Sequence, residues 1–69
     1  MPLSLMCVGT RRRIKAVTGN DGVRKHLGTL GFVEGVEVES IHELNGNLVI
    51  GVMDSRVAID KKLAERILV

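Results

Sequence analysis

The stretch Leu27-Gly28-Thr29-Leu30-Gly31-Phe32-Val33-Glu34-Gly35-Val36-Glu37-Val38 constrains the fold of this chain more than any other part of it. It reads as the end of a helix, a glycine stop, a tight turn and the start of a strand. Val23, Leu27 and Leu30 stand at i, i+4 and i+7, which aligns them as one apolar stripe of a helix. Gly31 suits the left-handed position just past the helix end, because it has no Cβ to clash there. Phe32 and Leu27 then supply the hydrophobic pair that accompanies a Schellman stop. Val33 to Val36 fits a turn with Gly35 at its positive-φ corner. From Val36 onward apolar residues recur at alternate positions, the period of a strand.

The remaining elements obey the same logic. Ser4 is expected to cap a brief turn over Leu5 to Val8 that ends at Gly9. Thr10 to Thr18 reads as one strand, with Ile14 and Ala16 on one face and Arg11, Arg13 and Lys15 on the other. Gly19-Asn20-Asp21-Gly22 is turn chemistry, and Asn20 or Asp21 can accept from the first free amides of the helix. Val36 to Glu43 makes the second strand, with Val36 and Val38 inward and Glu37 and Glu39 outward. Asn45-Gly46 between apolar strands is a strong hairpin signal, since both residues tolerate positive φ. Leu48 to Met53 is the third strand, Asp54-Ser55 a tight turn, and Arg56 to Ile59 the fourth strand. Asp60 caps a turn over Lys61 to Arg66, and Ile67 to Val69 closes the sheet. Consecutive short strands with hairpin turns favour a small closed or half-closed barrel over a sandwich.

Composition narrows the function classes. Sixty-nine residues fit one domain, and a chain of this size buries only roughly 60% of its unfolded surface. That leaves no room for a deep catalytic cleft. Phe32 is the one aromatic residue, so the core is aliphatic and the stacking platforms of single-stranded nucleic-acid binders are missing. The longest apolar run, Leu48 to Met53, is far short of the ~20 residues that span a bilayer. The basic cluster comes after the N-terminal apolar stretch, the reverse of a signal peptide. One cysteine allows no internal disulfide and fits a reducing cytosol. A net charge of +2 is too small to indicate a polyanion partner.

Few residues offer chemistry. His26, His42 and Cys7 are the only side chains of their kinds, and no pair has the short spacing of a metal site, which needs three or four converging ligands. The histidines are expected to face solvent, and Cys7 to fill apolar space under the first turn. The serines lack a base and orienter. Gly28, Gly31 and Gly35 end a helix, whereas a phosphate loop starts one. No catalysis, metal site or cofactor is expected.

Two surface features remain. Arg11, Arg13 and Lys15 share a strand face, which is either an electrostatic footprint for a partner or one half of cross-strand pairing with Glu37 and Glu39. Glu43 carries the same parity as those two glutamates. Ile41 shares this outward parity too. It is either turned inward by a β-bulge or left exposed as an apolar anchor.

The run Leu30-Gly31-Phe32-Val33-Glu34-Gly35-Val36-Glu37-Val38 resembles the signature of the FeoA-type family, small cytosolic accessory proteins of bacterial ferrous-iron uptake. The likeness extends to Met1–Gly9 as a short lead ending in glycine and to Arg13–Val17 as a first strand. It continues through Val57-Ala58-Ile59 and Ala64–Val69. Glu34 stands where the family often has Pro, and the loop around Asn45-Gly46-Asn47 lacks the Ala-Pro-Leu-Gly-Asp-Pro run of many members. The resemblance implies a mainly β fold with short helices. This is a small SH3-like β-barrel of about five strands with a helical insertion after the first strand, over residues 1–69 as a single domain. It implies a non-enzymatic cytoplasmic module that docks on the cytosolic GTPase region of the membrane ferrous-iron transporter, without inserting in the membrane. Arg11, Arg13, Lys15 and Ile41 are then the candidate partner-binding residues. A small basic β-barrel that binds nucleic acid and a transition-metal-binding regulatory domain are the alternatives.

Overall fold

The computed structural model describes all residues 1–69. A 3₁₀ turn at Leu3–Leu5 precedes β1 (Arg11–Arg13), β2 (Ala16–Val17), α1 (Asp21–Thr29), β3 (Glu37–Leu44), β4 (Asn47–Val52), β5 (Ser55–Asp60), α2 (Lys61–Ala64) and β6 (Ile67–Leu68). Hydrogen bonding groups the strands into two antiparallel sheets, one in the order β1-β3-β4-β5 and one pairing β2 with β6. The fold is mainly β, with six strands in place of about five and with no single closed ladder.

The extra strand arises because Thr10–Thr18 does not run straight. The Ile14 N–H bonds to Val36 and the Gly35 N–H to Ile14, whereas the Lys15 N–H turns to Leu68. The chain changes partner between Ile14 and Lys15, so it leaves one sheet and enters the other. Ile14 sits at this corner and is buried.

The helix stop forms as the sequence predicts. Asn20 caps α1, its side chain accepting from the Val23 N–H at 2.8 Å. At the other end Gly31 has φ +100°. The Phe32 N–H reaches the Leu27 carbonyl and the Gly31 N–H the Gly28 carbonyl, both at 3.0 Å, the two bonds of a Schellman motif. Phe32 and Leu27 are both fully buried. Gly35, at φ +88°, takes the next corner, and the Val36 N–H closes that turn on Val33.

The hairpins explain the register. Asn45 and Gly46 have φ +52° and +80° and join β3 to β4 through a type I′ turn. The β4–β5 turn falls one residue earlier than expected: Met53 and Asp54 occupy its centre, at φ +52° and +62°, and Ser55 already pairs with Val52. The observed register sets Ile50 opposite Val57 and Leu48 opposite Ile59. A turn at Asp54-Ser55 would shift this pairing by two residues and keep the same side chains inward, so alternation alone allows either turn.

The core fills the space between the sheets. Val38, Ile50, Val52 and Ile59 come from the larger sheet, Ile67 from the smaller and Val69 from just past its end, and Leu27, Phe32 and Ala64 from the helices and their ends. Asp60 caps α2 through the Leu63 N–H at 2.8 Å. The first turn differs from expectation. It spans Leu3–Leu5 behind Pro2, with no side-chain cap from Ser4. Leu3 and Met6 take the interior positions beneath it, so Cys7 is exposed instead of packed.

Candidate interaction surface

The outer face of the β1-β3-β4-β5 sheet carries most of the residues singled out by charge and parity. Arg11 lies directly opposite Glu39 and Arg13 opposite Glu37. The Arg11 guanidinium approaches Glu39 at 3.7 Å, while Arg13 donates to the Gly35 carbonyl at 2.9 Å. The arginines are therefore interleaved with carboxylates, and the face is mixed in sign. Exposed pairs of this kind contribute about 0–1 kcal/mol each, so the arrangement fixes side-chain positions more than it stabilises the fold.

Lys15 does not complete this row. The partner change after Ile14 places it between β1 and β2, with its backbone bound to Leu68 of the smaller sheet. The strand parity that grouped it with Arg11 and Arg13 ends one residue before it.

Ile41 shows a mixed outcome. Ser40 pairs with Ile50 and His42 with Val49, so one residue is extra and the strand is bulged at Ile41. The bulge does not turn Ile41 inward. A Cβ built on Gly51 would lie 3.1 Å from Ile41 Cδ1 and 3.7 Å from Glu39 Cβ, which places Ile41 over Gly51 on the outer face. It is half-buried there. The bulge instead reverses the parity of the residues beyond it. Glu43 leaves the face of Glu37 and Glu39, aligns with inward-facing Leu48, and pairs with Lys61 at 2.6 Å. His42 takes its place on the outer face.

The same face has a shallow depression, bounded by Arg11, Glu37 and Glu39 on one side and by Met53, Asp54 and Ser55 on the other, with Gly51 in its floor. Met53 is 67% exposed at the tip of the β4–β5 hairpin. It is the feature that reading the sequence overlooked. Alternation does not mark it, because Met53 lies in the turn beyond the last paired residue, Val52.

His26 on α1, His42 on β3 and Cys7 in the N-terminal loop are all exposed and lie on different elements. No group of three or more His, Cys, Asp or Glu side chains is placed to hold a metal ion. No helix is long and apolar enough to cross a membrane.

A two-sheet fold with this helix stop and this spacing of turn glycines can be compared with known domains. The family model of the FeoA domain matches residues 1–69. The chain belongs to the FeoA family. Solved FeoA structures agree with it closely. An iron uptake regulatory protein (FeoA) superposes with a TM-score of 0.90 at 28% identity, over 97% of this chain and 91% of that one. FeoA of Stenotrophomonas maltophilia, complexed with zinc and described as a prokaryotic SH3 domain protein, gives 0.86 at 28% identity, over 99% and 87%. A manganese-dependent transcriptional repressor shares the fold alone, with a TM-score of 0.86 at 11% identity, over 97% of this chain and 39% of that one. No curated protein matches the chain.

Proposed function

We propose that this FeoA-family chain is a non-enzymatic accessory module of bacterial ferrous-iron uptake, working in the cytoplasm as a single SH3-like domain. The observation that carries the reading is the family match across residues 1–69, together with solved structures named for iron uptake and for ferrous iron transport activation. In this reading the two sheets are the halves of an SH3-like barrel, and the partner is the cytosolic G-domain of the membrane ferrous-iron transporter. Such a module acts by presenting a rigid surface, not by chemistry. Arg11 and Arg13, held in position by Glu39 and by the Gly35 carbonyl, steer the encounter, and half-buried Ile41 supplies apolar contact. Lys15 contributes charge from the adjoining corner. Membrane insertion and nucleic-acid binding have no part in it.

The experiment is genetic. Removing the gene from its host should lower ferrous-iron uptake, and the wild-type chain should restore it. A chain with Arg11 and Arg13 reversed to Glu, present at the same level, should restore it poorly. Unchanged uptake on removal of the gene would overturn the reading.

A further inference from the structure

The four-stranded sheet has two edges, and they are built differently. β1 is three arginines long, and Arg12, opposite inward-facing Val38, puts a charge at the inner parity. Short length and an inward charge are devices that keep an edge from pairing with another chain. β5 has neither. It runs from Ser55 to Asp60 in unbroken register with β4, without bulge or proline, and Val57 and Ile59 hold its inner positions.

The Met53-Asp54 turn determines which backbone groups lie on that edge. A two-residue turn makes Val52 and Ser55 a hydrogen-bonded pair, so the bonds to β4 fall at Ser55, Val57 and Ile59. Arg56, Ala58 and Asp60 therefore direct their N–H and C=O groups away from the sheet. From outside the ladder only the Asp60 carbonyl is engaged, because as the N-cap of α2 it accepts the first bond of that helix. The side chains of Arg56, Ala58 and Asp60 share the outer face, and all three residues are exposed. Neither Arg56 nor Asp60 has an ion partner within the chain. Asp60 uses Oδ1 to cap α2, which leaves Oδ2 for another donor.

We infer that β5 is a self-association edge, on which a second copy of this chain pairs antiparallel about a two-fold axis through Ala58. Charge selects that register. Centred on Ala58, Arg56 of each copy faces Asp60 of the other, and the outward N–H and C=O of Ala58, the Arg56 C=O and the Asp60 N–H find partners. Val57 meets Ile59 on the inner side. A centre on Val57 would set Arg56 against Ala58 and leave both charges unpaired. A centre on Ile59 would set Arg56 against Lys62. The start of α2 at Lys61 ends the pairing, so five residues per chain take part and the dimer is weak and concentration-dependent. The result is a continuous sheet in the order β1-β3-β4-β5-β5-β4-β3-β1.

Sedimentation equilibrium of the whole chain between about 20 μM and about 1 mM tests this. The average mass should rise toward the dimer across that range. In a concentrated sample mixing labelled and unlabelled chains, an intermolecular NOE should join the Hα atoms of Val57 and Ile59, which face each other in a non-hydrogen-bonded pair. Arg56→Glu sets two like-charged pairs across the axis and should weaken association about tenfold or more. Ala58→Pro removes an outward N–H that β4 does not use, and should leave a folded monomer. If that variant fails to fold, Arg56→Glu decides alone. A wild type that stays monomeric at the highest concentration overturns the proposal. So does association that Arg56→Glu leaves unchanged, or a dimer without the Val57–Ile59 contact.

Discussion

Gly31 concentrates the physics of this fold at one residue. Its φ of +100° is open to glycine and strained for anything with a Cβ, and a Cβ there would also lie 3.2 Å from Met53 Cγ and 3.4 Å from Val52 Cγ2. Gly31→Val should therefore destabilise the domain by about 1–3 kcal/mol from strain of this kind, and urea midpoints read this directly. An unchanged midpoint would mean that the helix stop does not depend on this residue. Asn20 works at the opposite end of α1 by accepting from Val23, and Asn20→Ala should cost roughly 0.5–2 kcal/mol, the usual range for a lost cap. These residues are legible in the sequence because caps and glycine stops are local: each acts on backbone atoms a few residues away. Cys7 is not. Whether a small apolar side chain is covered depends on what competes for the space, and Leu3 and Met6 occupy it. Sequence patterning carries no information about that competition.

Elements add constraints that no single residue reveals. The long strand expected from Thr10 to Thr18 breaks at Ile14 because two different sheets claim its halves, a tertiary fact invisible to local alternation. The same break separates Lys15 from Arg11 and Arg13. A bulge at Ile41 is one of the two outcomes the sequence allows, yet its effect is displaced: Ile41 stays outside over Gly51, and Glu43 is the residue that changes face. The β4–β5 turn forms one residue before Asp54-Ser55, and its place is hard to read from sequence because neither dipeptide carries the Asn-Gly or Asp-Gly chemistry such turns prefer. Two non-glycine residues at positive φ leave room for improvement there. Replacing Met53-Asp54 by Asn-Gly should raise stability by about 0.5–1 kcal/mol, within the range that turn optimisation commonly yields. Denaturant titration would show it as a higher midpoint with an unchanged slope. A lower midpoint would mean that Met53 contributes packing that its exposure does not suggest.

At the scale of the whole molecule, the chain is a FeoA-family domain, and the proposed role as a docking module is tested on its surface chemistry. With His26, His42 and Cys7 on separate elements and no converging set of ligands, the isolated chain should bind zinc or ferrous iron no more tightly than a generic protein surface. Calorimetry that found stoichiometric micromolar binding, lost with His26 or His42, would contradict this. The mixed charge of the sheet face bears on mechanism. Arg11 and Arg13 are interleaved with Glu37 and Glu39, so they can steer a partner without forming a strongly basic patch, and weak binding to random duplex is the matching expectation. Reversing both to Glu changes exposed positions, so stability should move by only about ±0.5 kcal/mol, with some addition for the lost Glu39 contact. The most direct test of the account is the association of the purified chain with the isolated cytosolic G-domain of the ferrous-iron transporter, monitored in real time at low and physiological salt. The account predicts binding whose on-rate falls as salt is raised. In the Arg11→Glu, Arg13→Glu chain it predicts a slower and less salt-sensitive on-rate, since peripheral charges act mainly on the encounter. No association at low salt with the chain at about 100 μM, well above the range expected of a specific partner, would contradict it.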